Sequence, residues 1–421
     1  MFRNIFWMGL SSATRLGTGF ILFVLIARHL GPEEFGHYMF WYGATFLCSL
    51  LANYGLGNML LKEIAQRPES AADMLGKALT LRLMLSGCIF LCALGSSTVV
   101  DRPELLLALL LAHLVETISS TFYCAYRAVG HYARESQLAA CAAIVQLIFV
   151  ATAIITNQNA GIIALAYLTG KTSQLALIFP ISKRIFGTFS LQPVNTVFKL
   201  AVHIKAYAID NILGNTFGNI DSIVLRAYAG IDAVGIYQSG MRIFQGGAQA
   251  APILGNVFLP EMARQTVGEK KNPQRIALVL QAFFLTYGVI FGLVLAYFPD
   301  QIVNFAFGES YKQLAALLPL FGLLFFIRFF AAAWGVILTA IGHQRYRAKA
   351  TAIHLLFMLS VGSYLSYSMQ AQGWLIGLIL ASLLLGMLYM VHAIHAGYAA
   401  FAKISVAAII VGALFFIPKV F

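Results

Sequence analysis

Leu56-Gly57-Asn58-Met59-Leu60-Leu61-Lys62-Glu63-Ile64-Ala65 returns 198 residues later as Leu254-Gly255-Asn256-Val257-Phe258-Leu259-Pro260-Glu261-Met262-Ala263, identical at six of ten positions. Gly, Asn and Glu are among the identities, so shared hydrophobicity does not account for them. Two further pairs extend the match. Arg28 and Arg226 are also 198 apart, and each precedes a Gly-x-Tyr, at Gly36–Tyr38 and Gly235–Tyr237. Ala128-Val129-Gly130-His131 is echoed by Ala340-Ile341-Gly342-His343, where the offset has grown to 212. The chain reads as two copies of one unit, the second carrying insertions.

The unit is built for lipid. Of 421 residues, 60% are hydrophobic and 10% charged, with a mean hydropathy of +0.81. A soluble domain carries about 25% charged residues, so this chain cannot cover itself with a solvated surface. Apolar runs recur at about 20 residues, the length that crosses about 30 Å of hydrocarbon as a helix. The first, Ile5–Ala27, is too long for the apolar core of a cleaved signal and is read as span 1. Charged and Gly/Pro breaks then place Tyr38–Leu61, Ala78–Val100, Leu105–Tyr126, Ser136–Thr156 and Gly161–Ile181. The second half holds Leu200–Leu225, Val234–Leu259, Ile276–Phe298, Leu314–Leu338, Ala350–Met369 and Trp374–Ile394.

The expected fold is an all-α polytopic membrane protein with about 12 transmembrane helices in two pseudo-symmetric six-helix bundles. Residues 1–181 form the first bundle and 200–394 the second, joined by a basic connector, 182–199. In the tail, 395–421, the apolar segment Ile404–Ile417 is short for a span. It is either a thirteenth crossing or an interfacial segment. Seventeen Lys and Arg fall in loops on the side of the N-terminus; the other side holds only Arg28, Arg102, Arg226 and Lys312. By the positive-inside rule the N-terminus is cytoplasmic. The net charge of +12 is then mostly topological. Its cations are spread over short loops instead of forming one basic face, so nucleic acid is not an expected partner. Five cysteines, Cys48, Cys88, Cys92, Cys124 and Cys141, lie within proposed spans and are read as buried free thiols acting as small apolar residues.

The segment Ala27-Arg28-His29-Leu30-Gly31-Pro32-Glu33-Glu34-Phe35-Gly36-His37-Tyr38 resembles the turn between the first two helices of Wzx-type polysaccharide transporters. These belong to the MATE-like superfamily of multidrug, oligosaccharidyl-lipid and polysaccharide exporters. Length, helix count and the 6+6 duplication agree over nearly the whole chain. The resemblance implies an O-antigen-type flippase, which moves an undecaprenyl-diphosphate-linked oligosaccharide from the cytoplasmic to the periplasmic leaflet of the bacterial inner membrane. Its implied partners are the lipid-linked oligosaccharide, membrane lipid and other glycan-assembly membrane proteins.

Six ionisable residues sit deep in the proposed spans: Arg15, Glu116 and Lys171 in the first half, Asp210, Arg242 and Arg328 in the second. A charge at the bilayer centre costs roughly 2.5–3.5 kcal/mol on insertion scales, so each needs a reason. Four cations against two acids leave an excess that suits a diphosphate, and the guanidinium fork matches phosphate oxygens. Arg15, Arg242, Arg328 and Lys171 are therefore the candidate diphosphate ligands; the alternative is that acids and bases pair with one another. Arg82 and Lys205, nearer the span ends, are read as snorkelling to the interface. Tyr207, Asn211, Asn215 and Asn219 recur along span 7, and Ser11 and Ser12 along span 1, as a polar face that lines a cavity or joins helices. Asp210, Glu116 and Asp221 are candidate proton or sodium sites, because burial favours a carboxyl that carries a proton.

No Gly-rich loop ending in Lys-Ser/Thr is present, so direct use of ATP is not expected. No cluster with metal-ligand spacing occurs, and no cofactor is expected beyond a coupling proton or sodium ion. A transporter is thus favoured over an enzyme. The alternatives are a drug or small-molecule exporter of the same superfamily and a membrane-embedded glycan polymerase or ligase. The short loops leave the last little room to bind an acceptor.

Overall fold

In a computed structural model, residues 2–216, 219–252, 254–255, 258, 262, 273–398, 406, 412 and 415–416 are described; the side chains of 2–13, Arg15, Leu16, Ala206, Ile209, Asp210, Leu213, Gly214 and Pro273 are not. The helices are α1 (Phe2–Asn53), α2 (Leu56–Gln66), α3 (Ala71–Ser96), α4 (Pro103–Ala128), α5 (Tyr132–Ile155), α6 (Ala160–Phe186), α7 (Val194–His203), α8 (Lys205–Thr216) and α9 (Asp221–Ala229). There follow α10 (Ile231–Ala248), α11 (Pro273–Tyr297), α12 (Pro299–Ala306), α13 (Lys312–Ala340) and α14 (Gln344–His395). Among the described residues eight helices are long and apolar enough to cross a membrane.

The 52-residue α1 and α14 each supply two spans. Gly31, at φ 75° and ψ 173°, breaks α1, and Pro32 opens the second arm with a fixed φ and no wasted N–H. The arms fold back on each other, since Phe23 and Tyr42 meet edge to face at 5.1 Å. In α14 the break is Gln370, at φ 51°. Its arms are close enough for a Cβ on Gly377 to fall 2.5 Å from the Cα of Gly362. With the spans formed by α7–α9 and α10, the helices from α1 to α14 make the twelve expected crossings among the described residues.

Local geometry carries the duplication further than the identities do. Gly130 (φ 80°) and Gly342 (φ 81°) close α4 and α13 in the left-handed conformation. His131 N–H donates to Tyr126 at 2.8 Å, and His343 N–H to Leu338 at 2.9 Å, the same helix-ending bond 212 residues apart. Gly31 and Gly230 pair in the same way, as do Asn157 and Gln370, the non-glycine residues that turn span 5 into 6 and 11 into 12. The growth of the offset has a visible cause. The loop Ser97–Arg102 between α3 and α4 corresponds to a stretch holding α12 and the 3-10 turn Glu309–Tyr311 in the second half. Of the ten-residue repeat quoted first, Asn256, Val257, Leu259, Pro260, Glu261 and Ala263 lie outside the described residues.

The chain divides into two compact units, Met1–Ile223 and Val224–Phe421. The division falls later than the expected connector, and most of 182–199 is helical: α6 runs on to Phe186 and α7 starts at Val194. Span 7 differs from its expected form. It is three helices, broken at Ile204 and again around Asn219–Ile220. The second break follows an Asn-rich stretch in which the Asn215 side chain bonds the Asn211 carbonyl at 2.8 Å, the kind of local bond that competes with a continuous helix.

In the first unit α1 packs against α4, α5 and α6. In the second, α13 is central and largely buried, with Phe325 stacked on Phe329 at 4.6 Å and against Phe291 at 4.3 Å. Glycines set the closest approach: a Cβ on Gly292 would lie 2.7 Å from the Gly322 carbonyl, so α11 and α13 cross backbone to backbone. Phe416 of the tail fills the same crossing, and its ring stacks on Phe326 at 6.1 Å. Gln274, at the start of α11, bonds the Gly397 carbonyl at 3.4 Å, and Tyr297, at its end, bonds that of Phe415 at 3.5 Å. Gly397 and Phe415 thus lie at opposite ends of α11, which favours a thirteenth crossing over an interfacial segment. A protease-sensitive tag fused after Phe421 is expected to be cleaved only from the face opposite the N-terminus. Cleavage from the N-terminal face would return the tail to the interface.

Candidate functional site

The first unit holds a partly open cavity of about 200 Å³, lined on its polar side by Thr18, Tyr42, Glu116, Gln146, Lys171 and Gln174. Each helix brings its share for a local reason. Gly170 carries no side chain where a Cβ would lie 2.8 Å from Gln146 Cγ, so α5 and α6 close to contact and bring Gln146 towards Lys171. At mid-length of α4 and α6, Lys171 Nζ meets Glu116 Oε2 at 2.9 Å. Lys171 also lies 5.4 Å from the centroid of the Tyr167 ring, whose face favours a cation. His113, one turn from Glu116, is buried edge to face against Tyr42 at 4.6 Å, and its Nε2 has no hydrogen-bond partner among the described residues. Gln174 donates to the Tyr123 hydroxyl at 3.2 Å.

A second polar cluster lies further along α4. Arg82 is fully buried, at 0% exposure, so it does not snorkel as its position in the sequence implied. It donates to Asn53 Oδ1 and Thr121 Oγ1 at 2.6 Å and to Ser120 Oγ at 2.9 Å. These partners come from α1, beside the break at Tyr54–Gly55, and from α4. Burial is tolerated because several neutral oxygens replace the lost water. Lys205 is exposed.

The candidate residues fare differently. Lys171 and Glu116, assigned separately to phosphate and to ion coupling, are brought together as one pair. Asp221 is 4% exposed in the first turn of α9, where its Oδ1 accepts from Ser222 N–H at 2.9 Å. That contact and the positive end of the helix account for a carboxylate there. Tyr207 and Asn211 are half-buried, as is Asn219; Asn215 is exposed and donates to the Asn211 carbonyl at 2.8 Å. The side chains of Ser11, Ser12, Arg15 and Asp210 lie outside the described residues.

In the second unit, Arg242 is half-buried on α10 and bonds Gln245 Oε1 at 3.3 Å. Arg328 is exposed, although Ile327 and Phe329 on either side of it are buried. Tyr237 and the buried His354 lie within its electrostatic reach. Arg328 also stands 212 residues after Glu116, the offset of the helix ends that follow them. One position in the duplicated helix thus holds a paired acid in the first copy and an accessible cation in the second.

Sequence reasoning missed Tyr42, Gln146, Tyr167 and Gln174 at the cavity. A mid-span Gln also needs a partner, but an amide costs far less to bury than an ion and so marks a site less sharply. The cysteines are free, and Cys48, Cys88, Cys92 and Cys141 lie on the outer surface of the helices and not in the core. A thiol is apolar enough to face lipid.

The sequence pattern of the polysaccharide biosynthesis protein family matches residues 1–265. Among solved structures, the lipid II flippase MurJ in an inward closed conformation superposes with a TM-score of 0.72 at 12% identity, covering 99% of this chain and 98% of that one. An inward-facing multidrug resistance MATE family transporter of the MOP superfamily gives 0.67 at 15% identity, covering 96% and 98%. A MOP superfamily transporter from Pyrococcus furiosus, described as having a binding pocket of reverse polarity, gives 0.61 at 14% identity, covering 96% of each chain. These likenesses show a shared fold over the full length. No curated protein sequence matches the chain.

Proposed function

The chain belongs to the polysaccharide biosynthesis protein family, and from that premise we propose that it is a flippase, which moves an undecaprenyl-diphosphate-linked oligosaccharide across the bacterial inner membrane by alternating access. The observation that carries the reading is the family match combined with a fold shared over its whole length with a lipid II flippase. Arg328 supports it chemically: an accessible guanidinium on an otherwise buried transmembrane helix suits a phosphate oxygen arriving from outside the unit. Arg242 and Arg15 are the further candidates for headgroup contact.

In this reading the pair in the first unit serves coupling. A cavity of about 200 Å³ is below the roughly 300–1,000 Å³ of drug-sized pockets, so it takes water and a proton or small ion, not a saccharide. Protonation of Glu116 frees Lys171, and that change in local charge is what an ion gradient can drive. Asp210 and Asp221 stand as further carboxylates for the same role.

The test is reconstitution into liposomes with a fluorescent undecaprenyl-diphosphate-linked saccharide, its leaflet read by a membrane-impermeant quencher. Protein-dependent exchange of the labelled lipid is expected. No exchange, together with gradient-driven export of a lipophilic cation, would replace the proposal with a drug exporter.

A further inference from the structure

The short helix α12 has no counterpart in the first half, where only the loop Ser97–Arg102 joins α3 to α4. Nine spans precede it, so it lies at the membrane face opposite the N-terminus, between the end of α11 at Tyr297 and the start of α13 at Lys312. At about 100° per residue its side chains separate into three sectors. Val303 and Phe307, both 1% exposed, form the side that packs onto the protein, and α12 rests on α13. Asp300, Gln301 and Asn304 are exposed and form a polar side. Phe298, Ile302 and Phe305 fall together on a third side, centred roughly 120° from the polar one. Phe305 is 86% exposed and Phe298 53%.

A helix end standing in water would not present two bare phenylalanines beside a polar face. The apolar side is also continuous with a surface that must face lipid. Along α11 the exposed residues Val279, Phe283, Ile290, Val294 and Tyr297 make one stripe at helical spacing, and this stripe runs directly into Phe298. Following α11 to its end therefore leads from hydrocarbon-facing side chains to Phe305 without a polar interruption on that side.

We infer that α12 is an interfacial helix lying in the plane of the membrane surface opposite the N-terminus, with Phe298 and Phe305 inserted among the lipids of that leaflet and Asp300, Gln301 and Asn304 towards water. The three-sector pattern fits this partner: protein on one side, water on the second and acyl chain on the third. Aromatic residues at such a depth hold an element at the headgroup level. The anchor belongs to one half only, so it fixes the height of α11 and α13 in a single leaflet. This inference does not depend on the proposed substrate.

The experiment places a nitroxide amino acid by codon reassignment at 305 or at 304 in the full chain, reconstituted in phospholipid vesicles, with the native cysteines untouched. Collision rates with dissolved oxygen, which concentrates in hydrocarbon, and with a water-soluble nickel chelate report depth. At 305 oxygen is expected to exceed nickel several-fold, and at 304 the order reverses. Equal, nickel-rich accessibility at both positions would overturn the inference, because α12 would then stand in water. Shielding of 305 from both reagents would overturn it too, because protein and not lipid would then cover the helix. The vesicle experiment reads position alone, so it stands or fails separately from any flipping activity.

Discussion

Replacing Arg328 with alanine is expected to lower the rate of lipid-linked saccharide exchange by about 10- to 100-fold while leaving the thermal stability of the protein close to that of the wild type. The size follows from the loss of one hydrogen bond to a charged group, about 1.5–3 kcal/mol, at about 1.4 kcal/mol per tenfold. The selectivity follows from position. Arg328 is exposed and its hydrophobic neighbours Ile327 and Phe329 carry the packing of α13, so truncation removes little buried contact. Arg328→Lys should recover only part of the rate, since an ammonium keeps the charge and loses the planar pair of donors. Reconstituted exchange measured for both variants, beside their melting curves, makes the comparison. Wild-type exchange by the alanine variant would remove Arg328 from the headgroup set and leave it as an electrostatic neighbour of His354.

The second large effect concerns the Glu116–Lys171 pair, and here stability and transport are expected to part company. Lys171→Met strands a carboxylate in a span, and Glu116→Gln strands an ammonium. Removing one partner of a fully buried pair costs roughly 3–5 kcal/mol. The expected loss here is smaller, because the Glu116 side chain is 38% exposed to its cavity. Replacing both partners by neutral residues of similar shape removes the penalty, so Glu116→Gln with Lys171→Met should melt near the wild type. All three variants should lose the dependence of transport on an imposed proton or sodium gradient. A double variant that folds well and still follows the gradient would reduce the pair to a structural tie between α4 and α6.

The contrast between these two sites was only partly legible in the chain. Mid-span charge marked Glu116, Lys171 and Arg328 alike, because the cost of burying charge depends on depth, and depth can be read from span length. Whether each charge had a partner could not be read. Glu116 and Lys171 are 55 residues apart and on different helices; their 2.9 Å contact exists only because α4 and α6 pack against each other. Arg82 shows the same limit from the other side. Its place near a span end implied an exposed ammonium-like role, yet Asn53, Ser120 and Thr121 converge on it from other helices and hold it in the core.

The sequence by itself determined the membrane class, twelve of the spans and the duplication. These rest on local physics: a helix must satisfy its own backbone in lipid, so span length and break residues suffice, and a left-handed Gly130 or Gly342 announces its turn without reference to the rest of the chain. Only the tertiary structure decided that span 7 is three helices, that Phe416 of the tail sits at the Gly292–Gly322 crossing, and that α12 turns Phe305 outward. Each of these depends on which surfaces meet. An apolar residue is equally at home in a protein core and in hydrocarbon, so hydropathy marks Phe416 and Phe305 identically, and packing alone separates the one that fills a helix crossing from the one left for lipid.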